Sequence, residues 1–183
     1  MFSKKFSALF VILASGLSVV AVDTSNCNSV GKETVGDKKV LLETFNCPGK
    51  AGTDSLGESK IQSGFQNVCG AQCDTSCYTN TQPPYYNTGD CQVITDALYY
   101  LSQKNVNGQT FDIPQNQVVT LSYATCQYSF VNNWPSTELQ YCRNDFGSVG
   151  KYISGACGGG GACVAKDGGW TISAQYTKPI PGN

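Results

Sequence analysis

The chain has 183 residues, with 12 lysines and arginines against 13 aspartates and glutamates, ten cysteines and no histidine. Without imidazole there is no Ser-His-Asp or Cys-His nucleophile system, no histidine-ligated metal and no histidine general base. The slightly acidic balance also lacks the basic stripe that a nucleic-acid partner demands, so none is expected.

Residues 1–21 read as a secretory signal peptide. Met1-Phe2-Ser3-Lys4-Lys5 is a short basic start, Phe6 to Val20 is an apolar run, and Ala21 offers a small residue for cleavage behind it. The run is shorter than the roughly 18–20 residues of a membrane span, and nothing later is apolar enough to insert. The expected product is extracellular. Removing the segment takes two lysines with it and leaves 162 residues carrying 10 basic and 13 acidic side chains. Ten cysteines in an exported chain read as five disulfides, and the Cys69-x3-Cys73-x3-Cys77 spacing as bridge partners rather than metal ligands. No cofactor is expected. Five cysteines precede residue 80 and five follow it, so at least one bridge joins the two halves.

Residues 22–56 form a loop-rich N-terminal cap with one strand at Lys39 to Phe45, followed by a main domain over 57–178 and a tail at 179–183. Asp54 and Ser55 predict a helix from Ser55 to about Cys73, with Ile61, Phe65, Val68 and Cys69 on one face. Cys69 and Cys73 share that face, so each should bond a different partner. Thr79 to Gly89 reads as an exposed loop. Asp90 caps a second helix to about Ser102, whose buried stripe is Val93, Ile94, Ala97, Leu98 and Leu101. From Thr110 the period changes to two, giving strands at Val119 to Tyr123, Cys126 to Phe130 and Glu138 to Cys142. If the last two fold about Trp134, Cys126 lies opposite Cys142, and a cross-strand bridge is expected there. Asn144 caps a third helix, Asp145 to Gly155, with Phe146, Val149, Tyr152 and Ile153 inward. Cys157 and Cys163 bracket four glycines, and a bridge across that loop is expected. A closing hairpin runs from Ala162 through Asp167-Gly168-Gly169 to Tyr176, with Trp170, Ile172, Ala174 and Tyr176 on one face. Hairpin strands with helices segregated to one sheet face make an α+β sandwich, stapled by disulfides.

No sequence-local catalytic signature appears, and the chain reads as a non-enzyme. Gly158-Gly159-Gly160-Gly161 lacks the Lys-Ser/Thr that follows a phosphate-cradling loop. Asp90 reads as a cap, Asp96 as a solvated helix position, Asp145 as a first-turn carboxylate and Asp167 as a turn residue. A paired-carboxylate glycosidase is one of the few enzyme schemes open to a histidine-free chain. The remaining signal is aromatic. Pro83-Pro84-Tyr85-Tyr86-Asn87 and Asn132-Asn133-Trp134-Pro135 each set aromatic rings beside amides, which suits sugars with their C–H faces and hydroxyl rims. Tyr85, Tyr86, Asn132, Asn133 and Trp134 are therefore the candidate ligand residues. The competing reading has Trp134 covering the core and both tyrosines packing on the second helix.

Four stretches together resemble a fungal family. They are Asp90-Cys91-Gln92-Val93-Ile94-Thr95-Asp96-Ala97-Leu98, Ala124-Thr125-Cys126 leading into Phe130-Val131-Asn132, Tyr141-Cys142-Arg143-Asn144-Asp145, and Gly160-Gly161-Ala162-Cys163-Val164-Ala165-Lys166-Asp167 before Trp170. In this order they resemble the Y-three-like glycan-binding proteins secreted by mushrooms, over about residues 57 to 177. The resemblance implies an α/β sandwich, lectin-like binding of fucosylated or N-acetylhexosamine glycans on cell surfaces, and homodimers joined through sheet edges. It carries over no site residue. A looser resemblance to small virally encoded fungal killer toxins and necrosis-inducing effectors implies action on competitor or host cells. For channel block, Lys166 at the final turn is the exposed base to consider.

Overall fold

A computed structural model describes residues 21–47, 65–79, 81–103 and 108–179. The fold is α+β. Strands β1 (Asn28–Val35) and β2 (Val40–Asn46) form an antiparallel ribbon. Short strands β3 (Phe65–Asn67) and β4 (Cys73–Cys77) precede helix α1 (Thr88–Gln103). Strands β5 (Thr110–Ile113), β6 (Gln117–Tyr123), β7 (Cys126–Asn132) and β8 (Glu138–Cys142) lead into helix α2 (Arg143–Ala156). The chain closes with β9 (Gly161–Ala165) and β10 (Trp170–Tyr176). Seven strands make one antiparallel sheet in the order β1-β2-β6-β7-β10-β9-β4, and β3-β8-β5 make a small second sheet in which β3 runs parallel to β8.

Period two decides which side is filled. Val119 and Leu121 of β6, Tyr128 and Phe130 of β7, and Trp170, Ile172 and Ala174 of β10 point to one face, where all are buried. Ile94 and Leu98 of α1, Phe146 and Ile153 of α2, and Ile113, Leu139 and Tyr141 of the small sheet cover them. Phe130 sits at the centre, 4.9 Å from the Tyr141 ring and 5.7 Å from Trp170 between centroids. Helix α2 reaches this core because Gly150 carries no side chain: a Cβ there would lie 2.5 Å from the Tyr128 ring.

The N-terminal segment is more regular than expected, since two strands of residues 22–47 extend the main sheet. The helix expected over 55–73 falls partly outside the described residues, and its described part, from Phe65 onward, is not helical. Phe65–Asn67 is extended beside β8, the Asn67 side chain accepts from Cys69 N, and Gly70 takes a left-handed φ of 69°. The α1 helix is present, but Asn87 caps it, taking the Gly89 N–H on Oδ1. Asp90 turns instead to Thr125, 2.5 Å from its hydroxyl. In α2 the expected inward Tyr152 is 63 % exposed, and Gly147 and Gly150 hold the buried face between Phe146 and Ile153.

Both expected disulfides are corrected. β7 pairs with β6 and β10, whereas β8 belongs to the other sheet, so no hairpin forms about Trp134. Cys126 faces α1 and bonds Cys91, while Cys142 bonds Cys69. Cys157 bonds Cys77 and Cys163 bonds Cys73, and the glycine loop is instead held by turn hydrogen bonds from Gly160 N to Cys157 O and from Tyr78 N to Gly160 O. Cys27–Cys47 completes the five. Three bridges join the two halves, and Cys69 and Cys73 take different partners, as expected. The signal segment lies outside the described residues save Ala21, and of the tail only Pro179 is described. No helix among the described residues is long and apolar enough to cross a membrane.

Candidate functional site

The two aromatic loops lie at opposite ends of β7. Asn87 N donates to Thr125 Oγ1 beside the start of that strand, and Tyr86 OH donates to the carbonyls of Ser154 and Cys157 at the end of α2. Asn132 ends the strand, with Trp134 two residues beyond. Seven residues of strand separate the loops by roughly 20 Å, too far for one monosaccharide. Tyr86 is buried as a fastening for its loop, whereas Tyr85 is 49 % exposed and donates to Thr81 O.

At the other end every amide is occupied. Asn132 is buried, its Nδ2 donating to the carbonyls of Ile113, Pro114 and Thr137 while Oδ1 accepts from Trp134 N. Asn133 donates from Nδ2 to Gly168 O and Thr171 Oγ1. The Trp134 indole is half-buried against the turn before β10, where a Cβ on Gly169 would overlap its Nε1. These three residues tie β7 to the β9–β10 turn, so their geometry is that of a clasp.

A different region gathers polar side chains in an open cleft. A cleft of about 390 Å³ opens beside the segment between Cys69 and Cys73, with Val149 and the edge of the otherwise buried Tyr141 on its wall. Gln72, Asp74, Asp145, Ser148 and Lys166 supply an amide, two carboxylates, a hydroxyl and an ammonium. The segment is bridged at both ends, Cys69 to Cys142 at the start of α2 and Cys73 to Cys163 on β9. Its backbone is tied as well: Gly70 N donates to Asp145 Oδ2 at 2.8 Å, and Lys166 N donates to Gln72 O. Lys166 Nζ donates to Gln72 Oε1 at 2.9 Å. Among the described residues the ion pair present is Lys32–Glu43 on the β1–β2 ribbon, so the cleft's three charges form no ion pair. Burial, then the nearby Asp145 carboxylate, pushes the Tyr141 phenol above its usual range, so it remains a neutral O–H donor at physiological pH.

The sulfurs of Cys69 and Cys142 lie near the Asp145 carboxylate, but joined as a disulfide they offer no thiolates to a metal. What the cleft offers is a set of hydrogen-bonding groups of both senses, on backbone held by covalent bonds. The sequence does not reveal it, because its members are scattered from residue 70 to residue 166. Lys166 and Asp145 stand out there only singly, as a turn base and a first-turn carboxylate, and the cross-half bridges are the signal that could have joined them. The fold and bridges define a disulfide-rich α+β protein. No protein-family model and no curated protein matches the chain.

Proposed function

We propose that this chain is a secreted glycan-binding protein, without catalytic activity, whose ligand lies in the cleft beside the Cys69–Cys73 segment. The observation that carries the reading is the convergence of Gln72, Asp74, Asp145, Ser148 and Lys166 beside Val149 in an open cleft. Hydroxyl-rich ligands need donors and acceptors together with an apolar patch for C–H faces, and preorganised backbone lowers the ordering cost of binding them. Five disulfides suit an extracellular setting, and the resemblance to mushroom glycan-binding proteins points to the same ligand class. A channel-blocking role asks for a base projecting freely, whereas Lys166 Nζ is engaged by Gln72 in a cleft that also holds Asp74 and Asp145.

The test is a glycan array probed with the oxidised protein, followed by titration of Gln72→Ala and Asp74→Ala. Each should lose about five- to tenfold in affinity, the worth of one hydrogen bond to a sugar, with Tm nearly unchanged at these exposed positions. Trp134→Ala should retain affinity. A blank array, or affinity lost with Trp134 and kept without Gln72 and Asp74, overturns the assignment. Release of reducing sugar from a bound glycan, abolished by Asp74→Asn, would convert the reading to a carboxylate hydrolase.

A further inference from the structure

The helix-free face of the large sheet holds a seat for one particular backbone residue. Val22 N donates to Gln175 Oε1 at 2.9 Å, and Gln175 Nε2 returns a bond to Val22 O at 2.9 Å. One side-chain amide thus brackets both backbone groups of Val22. Gln175 is itself positioned by Gln127, whose Oε1 accepts from Gln175 Nε2 at 3.0 Å. The Val22 side chain packs against the small cluster of Cys47, Val118 and Val131, as those of Cys27 and Phe45 also do. Ala21 is exposed, so among the described residues Val22 is the first whose backbone is held.

The neighbouring positions on this face have unused hydrogen-bonding capacity. Ser129 and Ser173 oppose one another across β7 and β10, each two residues from its strand's glutamine and on the same face. Both are fully buried, and neither hydroxyl completes a hydrogen bond, although Ser173 faces the Tyr78 phenol. A peptide N–H at Val22 uses one acceptor and brings no charge. An ammonium would bring two further hydrogens and a positive charge to a surface of amide and hydroxyl oxygens.

We propose that Val22 is the mature N-terminus and that Gln175 captures its α-ammonium. The inference rests on the reading of the chain as secreted. Water, delivered by a membrane-bound signal peptidase, adds across the Ala21–Val22 amide: the carbonyl carbon of Ala21 takes the hydroxyl and leaves as a carboxylate. The Val22 nitrogen takes the protons and becomes an ammonium, so no oxidant or further reactant is needed. Two independent lines meet at one bond. The sequence places the small residue before the cut at Ala21, and in the structure one side-chain amide brackets both backbone groups of the residue that follows it. The consequence is directional: cleavage strengthens the first contact of the sheet face, so the exported form is more stable than its precursor.

The test uses the secreted protein. Intact mass should give a chain beginning at Val22; any other first residue overturns the seat. The α-amine is then acetylated selectively at mildly acidic pH, where lysines are protonated more completely than an α-amine. Acetylation restores the single amide N–H of the uncut chain, removing the charge and the two added hydrogens together. The expected result is a Tm lower by about 2–4 °C for this chain length. Gln175→Leu should lower Tm on its own and make acetylation silent. An unchanged Tm on acetylation, or an equal loss in both backgrounds, overturns the capture. These readouts involve no sugar, so their failure stands apart from that of the glycan assignment.

Discussion

Replacing Cys69 and Cys142 together by serine probes both the connectivity and the cleft. By sequence the bridge spans a separation of 73 residues, which the chain-entropy relation converts to about 4 kcal/mol. That figure overstates the loss, because Cys77–Cys157 already joins the two halves. With that bridge intact, the open loop consists of the stretch from Cys69 to Cys77 and that from Cys142 to Cys157, about 23 residues, and the same relation gives about 3 kcal/mol. At about 2–4 °C per kcal/mol for a chain of this size, Tm should fall by roughly 6–12 °C. Glycan affinity, measured well below both transitions, should fall at least tenfold, because the segment bearing Gln72 keeps Cys73–Cys163 but loses its other bridge. Circular dichroism melts and titration of the array-identified sugar supply the two numbers. A Tm loss under about 3 °C would refute the loop argument, and undiminished affinity would refute the location of the site.

Gly150→Ala should lower Tm by about 4 °C: its Cβ meets a Tyr128 ring that is fully buried, and overpacking of about 1–3 kcal/mol outweighs the helix propensity gained. A rise in Tm would show that α2 can shift outward. Asn132→Ala should cost about 2–3 kcal/mol by orphaning buried carbonyls of Ile113 and Thr137, yet leave the affinity of the folded protein intact; loss of affinity at unchanged Tm would make Asn132 a ligand residue. Burial pushes the Tyr78 phenol up to about 12 and raises that of Tyr141 as well. An unfolded phenol releases its proton near about pH 10, so this stability is complete below that pH and declines as pH climbs through Tyr78's folded value. Tyrosinate absorbance and unfolding should therefore rise together above about pH 10, and ionisation of these tyrosines in protein that still shows native circular dichroism would contradict the burial argument.

Strands and helices whose pattern repeats within one element were legible in the sequence. β6, β7, β10 and α1 follow the alternation or stripe of their own residues, and the inward Trp170, Ile172 and Ala174 needed no knowledge of partners. Pairing was legible at the closing β9–β10 hairpin, about the turn Asp167-Gly168-Gly169, and not elsewhere. The 126–142 stretch looks like a hairpin because its two runs are adjacent and balanced about Trp134, but β7 completes both of its edges with β6 and β10. Residues 65–73 mimic helical spacing, and tertiary pairing with β8 and a bridge at each end of the Cys69–Cys73 segment override that local signal. The aromatic loops read differently in the fold for a related reason. An Asn beside a Trp satisfies the composition of a sugar site, while only the fold reveals that Asn132 spends its amide on three carbonyls.

The distribution of bridges ties the proposed site to the energetics of the fold. Phe130, Tyr128, Trp170 and Phe146 are fully buried at the centre, where apolar burial does most of the holding and one bridge, Cys91–Cys126, joins α1 to β7. The edge beside β4 is different. β3 is exposed along its whole length and β4 along most of it, so these strands bring little apolar burial to offset their ordering entropy. Three of the five disulfides start from the nine residues between Cys69 and Cys77 and reach Cys142, Cys157 and Cys163. Covalent constraint is concentrated where these strands pack weakly, and the cleft with its charges lies on that same edge. A polar binding surface cannot be fixed by burying it, since its groups must stay open to the ligand. Bridges fix it without covering it, which explains why three of the five gather on this edge while the core beneath it carries one, Cys91–Cys126.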